Sequence, residues 1–132
     1  MVHMYCDECY KQTMIKDNAV EYKSYSFASR IIKVYKYLSE QKRERILSKQ
    51  LLRSGTAIGA LVCEAKFAQS KADFINKLSI ALKEANETQY WLNLLHDNEY
   101  LDNNSFQSIY EDAKEITAIL VSIVKTSKNG QS

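Results

Sequence analysis

The sequence predicts an all-α protein folded as an antiparallel up-down-up-down four-helix bundle, and three observations carry that prediction. No proline and only three glycines occur in 132 residues, so the residues that break helices are nearly absent. Apolar side chains recur at steps of three and four along four successive stretches. The connections between those stretches are short, which favours antiparallel neighbours.

Composition agrees with a single packed domain. A chain with 45% hydrophobic and 26% charged residues lies well away from the disordered class, and one of this length buries roughly two-thirds of its unfolded surface. Residues 1–18 show no period and are expected to form a flexible extension, 19–127 the bundle and 128–132 a disordered tail. No apolar run approaches the roughly 20 residues that span a bilayer, and the N-terminus lacks the apolar stretch of a signal peptide. A cytoplasmic protein without a membrane partner is expected. Cys6, Cys9 and Cys63 are an odd number, so reduced thiols are expected rather than a disulfide framework.

The first helix is expected over about residues 24–38, where Phe27, Ile31, Val34, Tyr35 and Leu38 share one face. Arg30, Lys33 and Lys36 fall on the opposite face and should point outward. Residues 39–42 interrupt the apolar pattern and read as a short turn. The second helix, over about 43–69, has a core seam of Leu47, Leu51, Ile58, Val62 and Ala65. Beside it runs a second apolar strip of Leu52, Gly59, Cys63 and Phe67, too much for one partner surface. Gly55 and Gly59 each cost up to about 1 kcal/mol in a helix relative to alanine, so close approach of a neighbouring backbone is expected there.

Ser70 followed by Asp73 is a shortened capping box that starts a third helix reaching about residue 96. Its core face is Phe74, Leu78, Ala81, Leu82, Ala85 and Leu92, while Ile80, Glu84, Glu87, Trp91 and Leu94 make a mixed face better suited to a subunit interface. Residues 97–105 hold the strongest cluster of helix breakers and read as the longest loop, with Asp102, Asn103, Asn104 and Ser105 as candidate caps. A fourth helix to about residue 125 buries Phe106, Ile109, Ala113, Ile116, Leu120 and Val124.

Catalytic and metal chemistry finds little support. Di-iron bundles use Glu-x-x-His pairs, and neither His3 nor His96 has a glutamate three residues before it. His3, Cys6 and Cys9 offer three soft ligands where a closed zinc site wants four, so incidental thiols are expected. Cys63 lies in an apolar strip and reads as a buried, inert thiol. His96 reads as a side chain matched to the helix dipole. No phosphate-binding glycine loop is present. A protein that is not an enzyme, with no cofactor and no metal, is expected.

Charge is uneven. Residues 23–53 hold nine basic side chains against two acidic ones, a local balance of +7 in a chain whose net charge is +2. Arg53, Glu64, Glu84 and Glu87 stand mid-helix where they can face one another across the second and third helices. They read either as a solvated face or as an Arg–carboxylate network that sets register.

The run Gln50-Leu51-Leu52-Arg53-Ser54-Gly55-Thr56-Ala57-Ile58-Gly59-Ala60 is followed by Glu64-Ala65, by Ser70-Lys71-Ala72-Asp73-Phe74 and by Ala81-Leu82-Lys83-Glu84-Ala85. Together with Glu87-Thr88, Trp91-Leu92 and Phe27-Ala28, it resembles the 23S rRNA intervening-sequence, or S23, family over about residues 18–125. The resemblance implies a non-enzymatic bundle, some members being encoded in insertions within 23S rRNA genes, and a homopentamer. It also implies kinship with the accessory variability determinant of diversity-generating retroelements, a basic pentameric barrel that binds nucleic acid and a reverse transcriptase. Leu61 and Cys63 depart from the family pattern, making the second helix more apolar, and the residues before Met14 look like an addition, with Met14 a candidate start.

Two functions stay open on the sequence. One is an oligomeric accessory that binds RNA or DNA through Arg30, Lys33, Lys36, Lys42, Arg43 and Arg45, with Tyr37 available to stack on a base. The other is a scaffold for a protein partner. In either case Leu52, Gly59, Phe67, Ile80, Trp91 and Leu94 are the expected oligomer contacts, because they lie off the core seams.

Overall fold

The structure is a computed structural model, and it describes residues 19–130. The leader cluster His3, Cys6 and Cys9, and the alternative start Met14, lie outside the described residues. Four helices follow one another: α1 Ala19–Glu40, α2 Leu47–Lys66, α3 Lys71–Asp97 and α4 Asn103–Asn129. Each packs on its neighbour in sequence, and α1 closes the bundle on α4 in the lightest of the four packings.

The core follows the expected faces. Phe27, Ile31 and Leu38 of α1 meet Leu51, Ile58 and Val62 of α2, Phe74, Leu78 and Leu92 of α3, and Ile109, Ile116 and Leu120 of α4, all fully buried. Each such side chain contributes roughly 1.5–3 kcal/mol of apolar transfer. Val34, Tyr35, Leu47, Leu82 and Phe106 are only partly buried and rim that core.

Several helix ends differ from expectation, among them the end of α2, at Lys66 rather than at about residue 69. The first helix begins at Ala19 because Val20 and Ser24 are buried in step with Phe27. Ser39 and Glu40 belong to α1, and α2 starts only at Leu47. Arg43 adopts a left-handed φ of 57°, which directs the Glu44 carboxylate onto the open start of α2. There it accepts from the N–H groups of Ile46, Leu47 and Ser48 at 3.3, 3.1 and 2.8 Å. These orphan donors need an acceptor, and Glu44 supplies it. The 41–46 connection is consequently the longest among the described residues, not 98–102. At the other end α4 runs on to Asn129 with Ser127 buried, so Lys128 and Asn129 are helical rather than tail.

The Ser70 cap is as expected: its hydroxyl accepts from Asp73 N–H at 3.0 Å, and the Asp73 carboxylate reaches back to Gln69 N–H at 3.3 Å. Asp102 caps α4 by accepting from Ser105 N–H at 2.8 Å. That bond, with smaller help from the Ser105 hydroxyl, Asn104 and Lys42, holds the Asp102 carboxyl below its ordinary value of 3.8 against the opposing effect of desolvation. The two glycines of α2 also do what their cost suggests. A Cβ at Gly55 would stand 2.8 Å from Cγ1 of buried Ile31, and one at Gly59 would stand 3.3 Å from the Ser24 carbonyl oxygen. Cys63 corrects the sequence reading. It is exposed, because Val62 and Ala65 take the core positions on either side of it.

Candidate nucleic-acid interface

Of the nine cations between residues 23 and 53, three are bound by carboxylates. Lys23 pairs with Glu115. Arg30 pairs with Asp112 and donates to the Ser108 hydroxyl at 2.8 Å and to the Ser108 carbonyl at 3.4 Å. This corrects the outward placement expected of Arg30: it lies beside α4 and closes the α1·α4 seam. Sequence periodicity places a residue relative to its own helix core, and only the neighbouring helix reveals whether an acid waits beside it.

Arg53 is the third. Its guanidinium donates to Glu84 at 3.3 Å and to Glu87, and its Nε to Gln50 Oε1 at 3.3 Å. Glu87 also accepts from the Trp91 indole N–H at 2.9 Å. Beneath this cluster a buried bond joins the Thr88 and Ser54 hydroxyls at 3.0 Å, a register pin that the apolar pattern did not indicate. Glu64 does not join the network and pairs with Lys77 at 3.3 Å. Arg53 and Glu64 are eleven residues apart, about 16 Å along the helix axis, so each meets a different turn of α3.

The other six cations, Lys33, Lys36, Lys42, Arg43, Arg45 and Lys49, are all exposed and make no ion pair with the described residues. They gather at one end of the bundle, on the second half of α1, the 41–46 loop and the first turn of α2. Glu44, which stands among them in sequence, spends its carboxylate on α2. Lys42 comes near enough to Asp102 to help lower it. Five of the six residues expected to bind nucleic acid are therefore brought together, Arg30 is withdrawn, and Lys49 joins. Tyr37 beside them is partly exposed.

The expected oligomer contacts are dispersed. Phe67, 80% exposed, stands just past the end of α2, and Ile80 is exposed on α3. Leu52, Trp91 and Leu94 are partly buried, Trp91 being hydrogen-bonded to Glu87, and Gly59 lies against α1. His96, the basic side chain in the last turn of α3, also joins α3 to α4: it stacks on Phe106 with ring centroids 4.1 Å apart and stands 2.6 Å from Asn103 Oδ1. Among the described residues no group of three or more His, Cys, Asp and Glu side chains is placed to hold a metal ion. No helix among them is long and apolar enough to cross a membrane.

Residues 16–122 match the family model described as 23S rRNA-intervening sequence protein. The chain belongs to that family. A protein of unknown function from the S23 ribosomal protein family of Bacteroides thetaiotaomicron VPI-5482, solved by crystallography at 1.70 Å, is 56% identical. The similarity covers 83% of this chain and 98% of that one, with a TM-score of 0.82. No curated protein shows significant similarity to the chain.

Proposed function

We propose that this family member is a non-enzymatic, cytoplasmic, oligomeric accessory protein that binds nucleic acid through its basic end. One observation carries the reading: six cations stand exposed together and make no ion pair among the described residues, while Lys23, Arg30 and Arg53 of the same segment are each paired with a carboxylate. Unneutralised charge of this density releases counterions from a phosphate backbone. In an oligomer the patch repeats once per subunit, so weak contacts act together.

The test is anisotropy of a labelled RNA hairpin and a DNA duplex at low salt and again at raised salt. Retention should fall steeply with salt, with a log–log slope of up to about −4 to −5 per subunit at roughly 0.7–0.9 per phosphate neutralised. Absence of retention at low salt would replace this reading with the scaffold for a protein partner, which the exposure of Phe67 and Ile80 favours. Light scattering tests the assembly. A pentamer of 15.2 kDa subunits is expected, and a monomer at micromolar concentration would remove the oligomer from the proposal.

A further inference from the structure

A groove of about 420 Å³ runs between the first half of α1 and the second half of α2. It exists because the two helices carry little side chain where they meet. Gly59 lies beneath Ser24, and Ala28 and Ala60 line it with single methyl groups. Tyr25 stands in its wall with 76% of its surface exposed, and Tyr22, one turn earlier on α1, is 74% exposed. The two rings, one turn apart on α1, are both open to solvent.

The groove shares a helix with the basic end. Tyr25 precedes Lys33 and Lys36 by eight and eleven residues, about 12 and 16 Å along α1 at 1.5 Å per residue. That separation is within a few nucleotides of strand, and single-strand sites combine the two features found here, a track of cations and an aromatic platform. Charge decides the occupant. An apolar peptide would use the groove and leave the cations unneutralised, whereas a polyanion carrying a flat ring on every repeat satisfies both.

We infer that the nucleic acid bound at this face is an unpaired strand, with one base seated in the α1–α2 groove against Tyr25 and its phosphates on Lys33 and Lys36. This rests on the nucleic-acid reading above and narrows it to a substrate class. A duplex keeps its bases stacked on each other and can engage only the cations. Stacking on Tyr25 carries the base beside the polar groups that line the groove: the Glu21 carboxylate, paired with Lys66 through one oxygen while the other has no hydrogen-bond partner among the described residues, and the Ser24 and Thr56 hydroxyls. Ser24 Oγ donates to the Glu21 carbonyl at 3.2 Å and Thr56 Oγ1 to the Leu52 carbonyl at 2.7 Å.

The experiment measures anisotropy of labelled oligo-dT, oligo-U and a DNA duplex of equal length on the full chain, comparing wild type with Tyr25→Ala, Tyr25→Trp and the double variant Lys33→Glu, Lys36→Glu. Tyr25→Ala should weaken both single strands about ten-fold, the size of one lost base–aromatic stack, and leave duplex affinity and the melting temperature unchanged. Tyr25→Trp should keep the single-strand affinity, and the lysine pair should weaken every ligand. Equal loss on single strand and duplex, or no loss on either, would overturn the inference while leaving the basic end as a nucleic-acid site. A change in light-scattering mass for Tyr25→Ala would overturn it in favour of a second copy in the groove. If the wild type retains neither form at low salt, both readings fall.

Discussion

Lys49 and Arg53 stand one turn apart on α2, in the same basic segment, and their surroundings have opposite character. Arg53 is gripped by Glu84 and Glu87, thirty-one and thirty-four residues away, with Gln50 behind it. Lys49 has no carboxylate partner among the described residues and opens onto the basic end. The difference comes from what α3 carries alongside each turn. A run of cations is thus two things in this molecule, a set of struts between helices and a set of free charges, and only the second is available to a ligand.

The sharpest way to break that distinction is to reverse charge on each side of it. Lys33→Glu with Lys36→Glu and Arg45→Glu should lower nucleic-acid affinity by about a hundred-fold or more, since each lost phosphate contact removes a counterion-release contribution. Melting temperature should hold, because all three are exposed and make no ion pair among the described residues. Arg53→Ala should leave affinity near the wild-type value. Anisotropy beside thermal melting checks both, and a comparable loss of binding from Arg53→Ala would dissolve the distinction.

The glycines that bring α1 onto α2, and so place Lys33 and Lys36 beside the 41–46 loop, give the next largest effect. In Gly55→Ala the new Cβ meets fully buried Ile31 at 2.8 and 2.9 Å, an overpacking cost of about 1–3 kcal/mol against a helix-propensity gain of about 1. A net loss of about 1 kcal/mol is expected in urea unfolding. Gly59→Ala, whose nearest contact is at 3.3 Å, should be close to neutral, and equal losses at the two positions would contradict this account of the approach.

A smaller difference should separate Arg53 from Lys49 in stability. Arg53 is half exposed, so its ion pairs are screened. Arg53→Ala should cost about 1 kcal/mol, against no more than about 0.5 for Lys49→Ala. Chemical denaturation of the two variants under identical conditions decides the point.

The smallest effect is at Asp102, an acid near the basic end whose ionisation is perturbed. Its folded-state carboxyl is lowered, first by the Ser105 N–H, so its contribution is complete above the ordinary value of 3.8 and is lost as pH falls through the lowered one. Asp102→Asn keeps an acceptor for Ser105 N–H and removes the titration. The variant's melting temperature should fall less steeply than the wild type's on acidification below that value, and parallel acid limbs would rule the Asp102 contribution out.

Sequence alone determined the four helices, most of their buried faces, the Ser70 cap, the cluster 102–105 from which the α4 cap comes, and the family. These follow from period, breaker content and local capping, which act within one helix or across a few residues. It also placed the cations in one segment, and it left Arg53, Glu64, Glu84 and Glu87 open between a solvated face and a network. Tertiary structure decided which of those charges are free. Asp112 takes Arg30 from a helix eighty-two residues on, Lys77 takes Glu64, and Glu44 folds back onto α2 so that its loop neighbours make no ion pair with it. It likewise turned Cys63 outward and opened the groove beside Tyr25. The physical reason is range: hydrophobic periodicity is written into one helix, whereas a charge is neutralised by whatever the neighbouring helix brings within a few ångströms.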